Sequence, residues 1–458
     1  MAFRTVFAGR RLLAGIALTA VLLAAHTAAA HGGSPQSQTV GVWEEGDEAS
    51  WMLKTNFGVM TSEHPREFVC EEAFDGGGRF RAAAFDTRTW VIFTADKITR
   101  TEDGCSFQKV RDLPGAITDL AIHRSSSKVA FAINSGEIRG IWSSSDAGES
   151  FVKVTIDRPN LKLMTIAFDA NGKLVVSASV DGPIEGADQG DARFFTAENP
   201  DEAVAADAFS RPYLLDVRNG RLLWQGRDSE GWNIVWGSLD APSGSSRAID
   251  AWARGGVIGP EGNQAQDFWV VGSEKKVRGL LHGTSSEGRV EWDVVAPDHS
   301  GICISKFGRH LYLCSRRDRE GHDLERRSVG GGSGEGLVDF RELRGPYGRC
   351  GDDTDVGRTC PAVWPELADS LGIETAPDSA DTGVDGDVGD VSSMDTASAT
   401  DAERDAAPER DGAGEGGASA NASKSAGCAT APGGGPMPVF ALLVCVGVAA
   451  IRRGPPVS

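Results

Sequence analysis

Short apolar runs alternate with polar turns along most of the chain, at a steady interval. Ala82–Phe85 and Trp90–Phe93 flank a turn at Asp86, Leu120–His123 and Val129–Ile133 a turn at Arg124, and Met164–Phe168 and Leu174–Val176 a turn at Asp169. Tyr213–Val217 and Leu222–Trp224 flank Asn219-Gly220, and Ile302–Ser305 and Leu311–Cys314 flank Gly308. Asn-Gly between apolar runs is a strong hairpin signal. The turns near 86, 124, 169, 218 and 307 are 38, 45, 49 and 89 residues apart, and the last gap is two periods. Gly259–Asn263, ahead of Phe268–Val271, supplies the intermediate turn, and Gly46-Asp47, between Val40–Trp43 and Trp51–Leu53, supplies one upstream. Seven such units, each too thin to bury both faces alone, predict an all-β fold: a seven-bladed β-propeller of four-stranded antiparallel blades over residues 31–345. A two-sheet sandwich is the alternative, but it requires no steady period.

A second period runs through the same region. Ser144-Ser145-Asp146-Ala147-Gly148-Glu149-Ser150-Phe151 resembles the Asp box of sialidase-like propellers. Arg100–Phe107 keeps Gly104, Ser106 and Phe107, with Glu102 at the acidic position, and Thr61–Phe68 keeps the acid and the aromatic but has Pro65 in place of glycine. Thr284–Trp292 is a longer relative. The aromatics at 68, 107 and 151 are 39 and 44 residues apart, which matches the turn interval. The resemblance implies a structural hairpin: the acid accepts backbone N–H groups, glycine takes a positive φ, and the aromatic packs between sheets. Ser144, Asp146, Gly148, Phe151, Gly104 and Phe107 are therefore assigned to structure and not to catalysis.

The chain ends read differently. Residues 1–30 combine Arg4, Arg10 and Arg11 with an apolar run and Ala28-Ala29-Ala30, the pattern of a secretory signal peptide. Cleavage there would expose His31, read as a frayed terminus because no second copper-ligating histidine is identifiable. Residues 374–427 hold thirteen acids, three bases and no aromatic, which predicts a disordered acidic linker; the aspartates between Asp381 and Asp390 lack the spacing of a calcium loop. Residues 428–458 carry Cys428, an apolar segment over 437–451, and Arg452-Arg453. This tail resembles the MYXO-CTERM sorting tail of myxobacterial surface proteins, which implies a C-terminal apolar sorting helix, cleavage near Cys428 by a sorting protease, and a cell-surface or outer-membrane address with later release open. It departs from that pattern in having two arginines and in continuing to Ser458, so a simple membrane anchor stays open.

The net charge of −19 argues against nucleic acid as a partner. Cys445 lies in the apolar tail; Cys70, Cys105, Cys303, Cys314, Cys350 and Cys360 remain in the exported body, an even number that suggests three disulfides. The turn at Gly308 sets Cys303 opposite Cys314, and the pairings Cys350–Cys360 and Cys70–Cys105 are then expected, the first within a Cys-containing extension over 346–373 packed on the propeller.

Catalytic constellations are missing by residue type. The sialidase resemblance implies an arginine triad, a Tyr–Glu nucleophile and an aspartate acid/base, yet no Arg-Ile-Pro motif occurs and the three tyrosines, Tyr213, Tyr312 and Tyr347, sit in expected strands or a Gly/Pro loop. No Gly-x-Ser-x-Gly elbow or His-Glu-x-x-His helix is present. Gly330–Gly336 lacks the lysine of a phosphate loop, and His299, His310 and His322 read as scattered histidines, so no cofactor and no metal is expected. Of the tryptophans 232, 236, 252 and 292, Trp232 and Trp236 are the candidates for a ligand-facing groove. The reading that follows is an exported, anchored, non-catalytic propeller, monomeric, binding an envelope protein or a glycan. A divergent glycoside hydrolase and a structural envelope component are the alternatives.

Overall fold

The computed structural model describes residues 35–374, apart from 46–47, 77–79, 136–137, 157, 183–187, 249–251, 262–265, 275–276, 287–288, 298, 300 and 316–319. The signal segment, His31, the Gly46-Asp47 turn, part of the Gly259–Asn263 turn, almost all of the acidic linker, and the tail with Cys428 lie outside the described residues.

The described residues form an all-β molecule in a β-propeller arrangement, with one C-terminal helix. The five fully described hairpins of the sequence pattern are present. Leu120–Phe131, Ile122–Val129 and Lys128–His123 pair across the third sheet, and Val217–Leu222 and Arg218–Arg221 close around Asn219-Gly220. Both of those turn residues take positive φ, 47° and 71°, as a tight turn matched to strand twist requires.

The first sheet holds strands Ser37–Glu45, Glu48–Thr55, Gly58–Thr61 and His64–Cys70; the second, Arg81–Ala84 to Gln108–Asp112; the third, Ile117–His123 to Val152–Val154. The fifth runs from Ala253–Glu261 to Arg289–Ala296, and the sixth from Cys303–Phe307 to Glu335–Val338. The fourth sheet has seven strands, Leu161–Phe168 through Ala241–Ala248.

Five separate four- or five-stranded blades result, not seven. The cause is the twenty-residue strand Asn199–Arg218, whose first part pairs with Asp191–Thr196 and whose second part pairs with Arg221–Arg227. The units with turns at 169 and 218 are thereby hydrogen-bonded into one sheet. At the change of partner, Arg211 takes φ 52° and Pro212 follows, a kink that turns the strand without ending it. The two halves of this sheet then face each other over a shared core that includes Phe194, Ala206, Leu214 and Trp224.

Cores lie between consecutive sheets. Phe93, Phe131 and Phe151 join the second and third; Ile141, Val176 and Phe195 the third and fourth; Trp236, Ile258 and Phe268 the fourth and fifth; Trp269, Ile304 and Leu311 the fifth and sixth. Polar side chains on the first strands of successive units stitch the same seams. Asp119 accepts from the Ile166 N–H at 2.8 Å, Thr165 from the Leu214 N–H at 2.6 Å, and Asp216 from the Ile258 N–H at 2.7 Å. A buried backbone N–H left unpaired is costly, so these side chains complete hydrogen bonding that no strand partner supplies.

Closure of the ring falls between the sixth and first sheets, which share no strand. The Ser37 hydroxyl donates to the Asp323 carbonyl at 2.8 Å, and Phe340 packs its ring 5.1 Å from Phe57. From there Gly345–Pro346 adds a parallel strand beside Glu67 and Phe68, and the helix Asp355–Leu371 packs on His64–Cys70. Thr354 caps this helix by accepting from the Gly357 N–H, and its buried face holds Val356, Cys360, Leu367 and Leu371.

Cys303–Cys314 form a disulfide across neighbouring strands, as the turn at Gly308 dictates. The other two pairings differ from expectation: Cys70 bonds Cys360 and Cys105 bonds Cys350. Sequence nearness misled here, because the extension returns to the first two sheets and lays its cysteines against theirs.

With Cys105–Cys350 in place, Cys70–Cys360 closes a loop of about 45 residues through that second bridge, which in the chain-entropy picture stabilises by about 4 kcal/mol; loss of a native disulfide typically costs about 2–5 kcal/mol. The double variant Cys70→Ser, Cys360→Ser should therefore unfold at a clearly lower temperature than wild type, measured by circular dichroism. Removal of Cys303–Cys314, a loop of 11 residues, should lower it less.

Candidate functional site

The kink that fuses the fourth sheet also places an aromatic cluster. Tyr213 follows Pro212, whose carbonyl accepts from the Ser177 hydroxyl at 2.9 Å. Trp232 opens the strand Trp232–Ser238 after a turn closed by Asp228, whose carboxylate accepts from the N–H groups of Glu230 and Gly231 at 2.8 and 2.9 Å and from the Asn233 amide at 2.8 Å. Trp252 precedes the fifth sheet, where the Ala253 N–H donates to the Gln225 side chain at 2.6 Å.

These anchors bring three rings together. Trp252 stands 4.5 Å from Tyr213 and 4.6 Å from Trp232, at 67° and 80°, and Tyr213 lies 6.2 Å from Trp232. Edge-to-face packing of this kind is favourable beyond simple area burial. All three rings are half-buried, so each keeps part of its surface toward solvent.

Trp236, the other expected ligand-facing ring, belongs to the core instead. It is 5% exposed and stacks on Phe268 at 4.8 Å, with 11° between the planes, as a wedge between the fourth and fifth sheets. Both rings lie on one face of the strand, four residues apart, and position along it separates them: Trp232 sits at the strand's mouth, at the edge of the core that encloses Trp236. Trp292 packs edge-on against the same Phe268 at 5.0 Å, with the Arg247 guanidinium 5.5 Å from its ring.

The turn residues from Ser144 to Phe151 form a closed hydrogen-bond ring. Asp146 accepts from the Ser144 and Ser150 hydroxyls, each at 2.6 Å, and from the Ser150 N–H at 3.0 Å. Burial acts to raise the Asp146 pKa, but these donors outweigh it and hold the carboxyl at about 2. Gly148 has φ 83°, and a Cβ there would lie 2.3 Å from Val91. At the related turn the acid is Asp103, not Glu102: it accepts from the Cys105 and Ser106 N–H groups, both at 2.8 Å, and the Gly104 N–H donates to Thr101. This turn is one residue shorter, which shifts the alignment. Phe107 packs on Phe74 at 5.3 Å. Thr61–His64 is a two-residue hairpin and Thr284 and Trp292 lie on adjacent strands, so neither region repeats the arrangement.

His299 and His322 meet at one buried carboxylate. Glu325, 1% exposed, lies 3.0 Å from His299 Nε2, 2.9 Å from His322 Nε2 and 3.1 Å from Arg327 Nε. Burial acts to raise the Glu325 pKa, but hydrogen bonds from the two histidines and the charge of Arg327 bring it to about 2. Gly334 makes room for this carboxylate, since a Cβ there would lie 2.2 Å from it. His310 is exposed at the far end of its strand, away from the pair. In the fourth sheet the opposite balance holds: burial pushes Asp216 up to about 7 despite its two N–H donors.

A groove of about 610 Å³ opens between the turns of the first two sheets, lined by Glu45, Glu48, Glu63, Asp86, Arg88 and Glu102. Arg349 approaches Glu63 at 3.1 Å and Arg100 approaches Glu102 at 2.5 Å, which offsets part of this charge. Among the described residues no group of three or more His, Cys, Asp or Glu side chains is placed to hold a metal ion, and no helix is long and apolar enough to cross a membrane. Tyr312 and Tyr347 are 2% exposed core residues; Tyr347 shares a hydrogen bond with Thr61 at 2.6 Å, and burial raises its pKa well above the usual range.

No protein-family model and no curated protein matches the chain. Its fold is similar to several solved structures. One is a GH74 xyloglucanase from Xanthomonas campestris (12% identity, 64% of this chain and 59% of that one, TM-score 0.35). Another is streptogramin B lyase (10% identity, 62% and 90%, TM-score 0.35). A third is a nidogen/laminin complex (15% identity, 52% and 87%, TM-score 0.34).

A carboxyl whose folded pKa is depressed contributes stability above its unfolded value, and that contribution disappears as pH falls through the folded value. For Glu325 the window runs from about 4.5 down to about 2. Glu325→Gln should melt below wild type at pH 7, and the gap should narrow as pH drops across this window, as read by thermal melts at stepped pH.

Proposed function

We propose that the chain is an exported, cell-surface-anchored propeller that binds a protein or glycan ligand, with the Tyr213–Trp232–Trp252 cluster as the contact site. The cluster is the observation that carries this reading. Three half-buried rings, held on well-bonded turns, offer preorganised apolar area that the core does not consume. Rings of this kind suit the apolar face of a sugar or a peptide side chain. The acidic body disfavours nucleic acid.

The address rests on the sequence: the signal segment at 1–30, and a tail in which Cys428 is the proposed processing site ahead of the apolar segment. The acidic linker then serves as a self-repelling spacer between body and surface. The Asp-box assignment of Ser144, Asp146, Gly148 and Phe151 belongs to the same reading and is supported by the hydrogen bonds that converge on Asp146.

A divergent glycoside hydrolase is the second reading, supported by the resemblance of that turn alone. Binding is favoured because Asp146 is committed to its turn and Tyr312 and Tyr347 to the core.

Glycan arrays and capture from envelope extract, run beside a fluorogenic sialoside assay, test the proposal. Trp252→Ala should weaken binding about tenfold or more, the equivalent of about 1.4 kcal/mol, while Trp236→Ala should act through stability. Sialoside hydrolysis, or binding indifferent to Trp252 and Trp232, would overturn it. Intact-mass analysis of the mature protein would check the expected loss of residues 1–30 and the fate of Cys428.

A further inference from the structure

The turn joining the first two strands of the third sheet contains a serine–histidine pair outside the aromatic cluster. His123 is 4% exposed at the end of strand Ile117–His123, and Ser126 is exposed, three residues on, in a short 3-10 turn. The Ser126 hydroxyl lies 2.6 Å from His123 Nδ1. On the other side of the ring, Nε2 lies 3.3 Å from the Ala170 carbonyl, supplied by the neighbouring fourth sheet.

The Ser125 hydroxyl also stands 3.4 Å from Nε2, so each tautomer finds a partner. In the tautomer with its hydrogen on Nε2, that hydrogen points at the Ala170 carbonyl, which can only accept. Nδ1 then keeps its lone pair, and the hydrogen bond to Ser126 has the serine as donor. That is the polarity a general base needs toward a nucleophile, with the carbonyl orienting the base from behind.

The surroundings are built to hold the ring in place. Gly172 has φ 74°, and a Cβ there would sit 3.0 Å from His123 Nδ1, so only glycine leaves room for the imidazole. The Lys128 ammonium donates to the Gly172 carbonyl at 3.1 Å and puts a positive charge beside the pair. The acid facing it from the fourth sheet is Asp169, whose carboxylate is taken up by the Asn171 and Lys173 N–H groups.

We propose that Ser126 and His123 form an acyl-transfer site, with Ser126 the nucleophile, His123 the general base, and small acyl esters the substrate class. In the first step the Ser126 Oγ–C bond forms, the ester C–O bond breaks, and the serine proton passes through His123 to the departing alkoxide. Water then attacks the acyl-serine, losing a proton through His123 as the carboxylic acid leaves and the serine is restored. Ser126 stands exposed on its turn, which suits a short acyl group presented on a larger molecule. Burial first, and the charge of Lys128 next, lower the His123 pKa; the Ala170 hydrogen bond and Asp169 act the other way. The base therefore stays neutral to a pH below its ordinary range, and activity should persist there.

A fluorophosphonate probe on the full chain, read by peptide mass spectrometry, tests this directly: Oγ–P forms, P–F breaks and fluoride leaves. The expected result is an adduct on Ser126 that is lost in Ser126→Ala, slowed at least tenfold in His123→Gln and kept in Ser125→Ala. Hydrolysis of p-nitrophenyl acetate should follow the same order. No adduct at Ser126, or one that forms as fast in His123→Gln, would overturn the proposal. Ser126 is exposed, so its alanine variant decides the question even where the buried His123 variant fails to fold. The aromatic-cluster reading is untouched by either outcome, because glycan or protein binding is measured independently of labelling.

Discussion

A ring of sheets must be closed, and this one is closed without a shared strand. The sixth sheet takes all its strands from residues 303–338, and the first takes four of its five from residues 37–70. What joins them is side-chain packing, one hydroxyl-to-carbonyl bond from Ser37 to Asp323, and a C-terminal segment that crosses the gap. That segment is held by backbone at Gly345–Pro346, by a helix, and by two disulfides to the first and second sheets. Loop-closure entropy grows slowly with length, so covalent closure across nearly the whole body is where a cross-link is most effective. Everything between Cys70 and Cys360 lies inside one covalent loop. The clasp also covers the outer strand His64–Cys70, an edge that would otherwise offer itself to another chain.

The hairpins were legible because their turns are local chemistry. Asn219-Gly220 and the apolar runs around it need nothing from elsewhere in the chain to declare a tight turn. The blade count was not legible, because it depends on whether a strand ends. The prolines of Asn199–Arg218 are Pro200, at its start, and Pro212, which sits where the strand changes partner without stopping. The repeat interval counted units of sequence, whereas hydrogen bonding counts sheets. The position of Glu102 was misjudged for a related reason: a turn one residue shorter keeps its aromatic and its glycine while its acid moves to Asp103.

Site residues were legible only where exposure could be inferred from position. Trp232, next to Gly231 at the mouth of a strand, belongs to the aromatic cluster; Trp236, four residues on, is core. Tyr213 reads as a packing residue because it begins an apolar run, and its partial exposure follows the Arg211-Pro212 kink. The meeting of His299 and His322 on Glu325 is set by a loop between sheets and by Gly334, neither of which carries a local signal. Ser126 and His123 stood in plain view, three residues apart. What gives them meaning is the Ala170 carbonyl, 47 residues away in sequence.

The acidic composition invites the idea of an acid-lined working surface, yet the best-placed carboxylates are already spent on the fold. Asp103, Asp146, Asp169 and Asp228 each close a turn by accepting backbone N–H groups, and Asp119 and Asp216 stitch adjacent units. A carboxylate in such a role has its lone pairs occupied and its pKa set by structure, so it has little left to offer a ligand. Perturbed ionisation is therefore a poor guide to function here, even though it often marks active sites elsewhere. The better guide is geometry in excess of what folding requires. A core does not need three rings clustered half in solvent, and a turn does not need a buried imidazole within 2.6 Å of an exposed hydroxyl. Those two places, proposed for contact and for proton transfer, are where function can be added to this ring without loosening it.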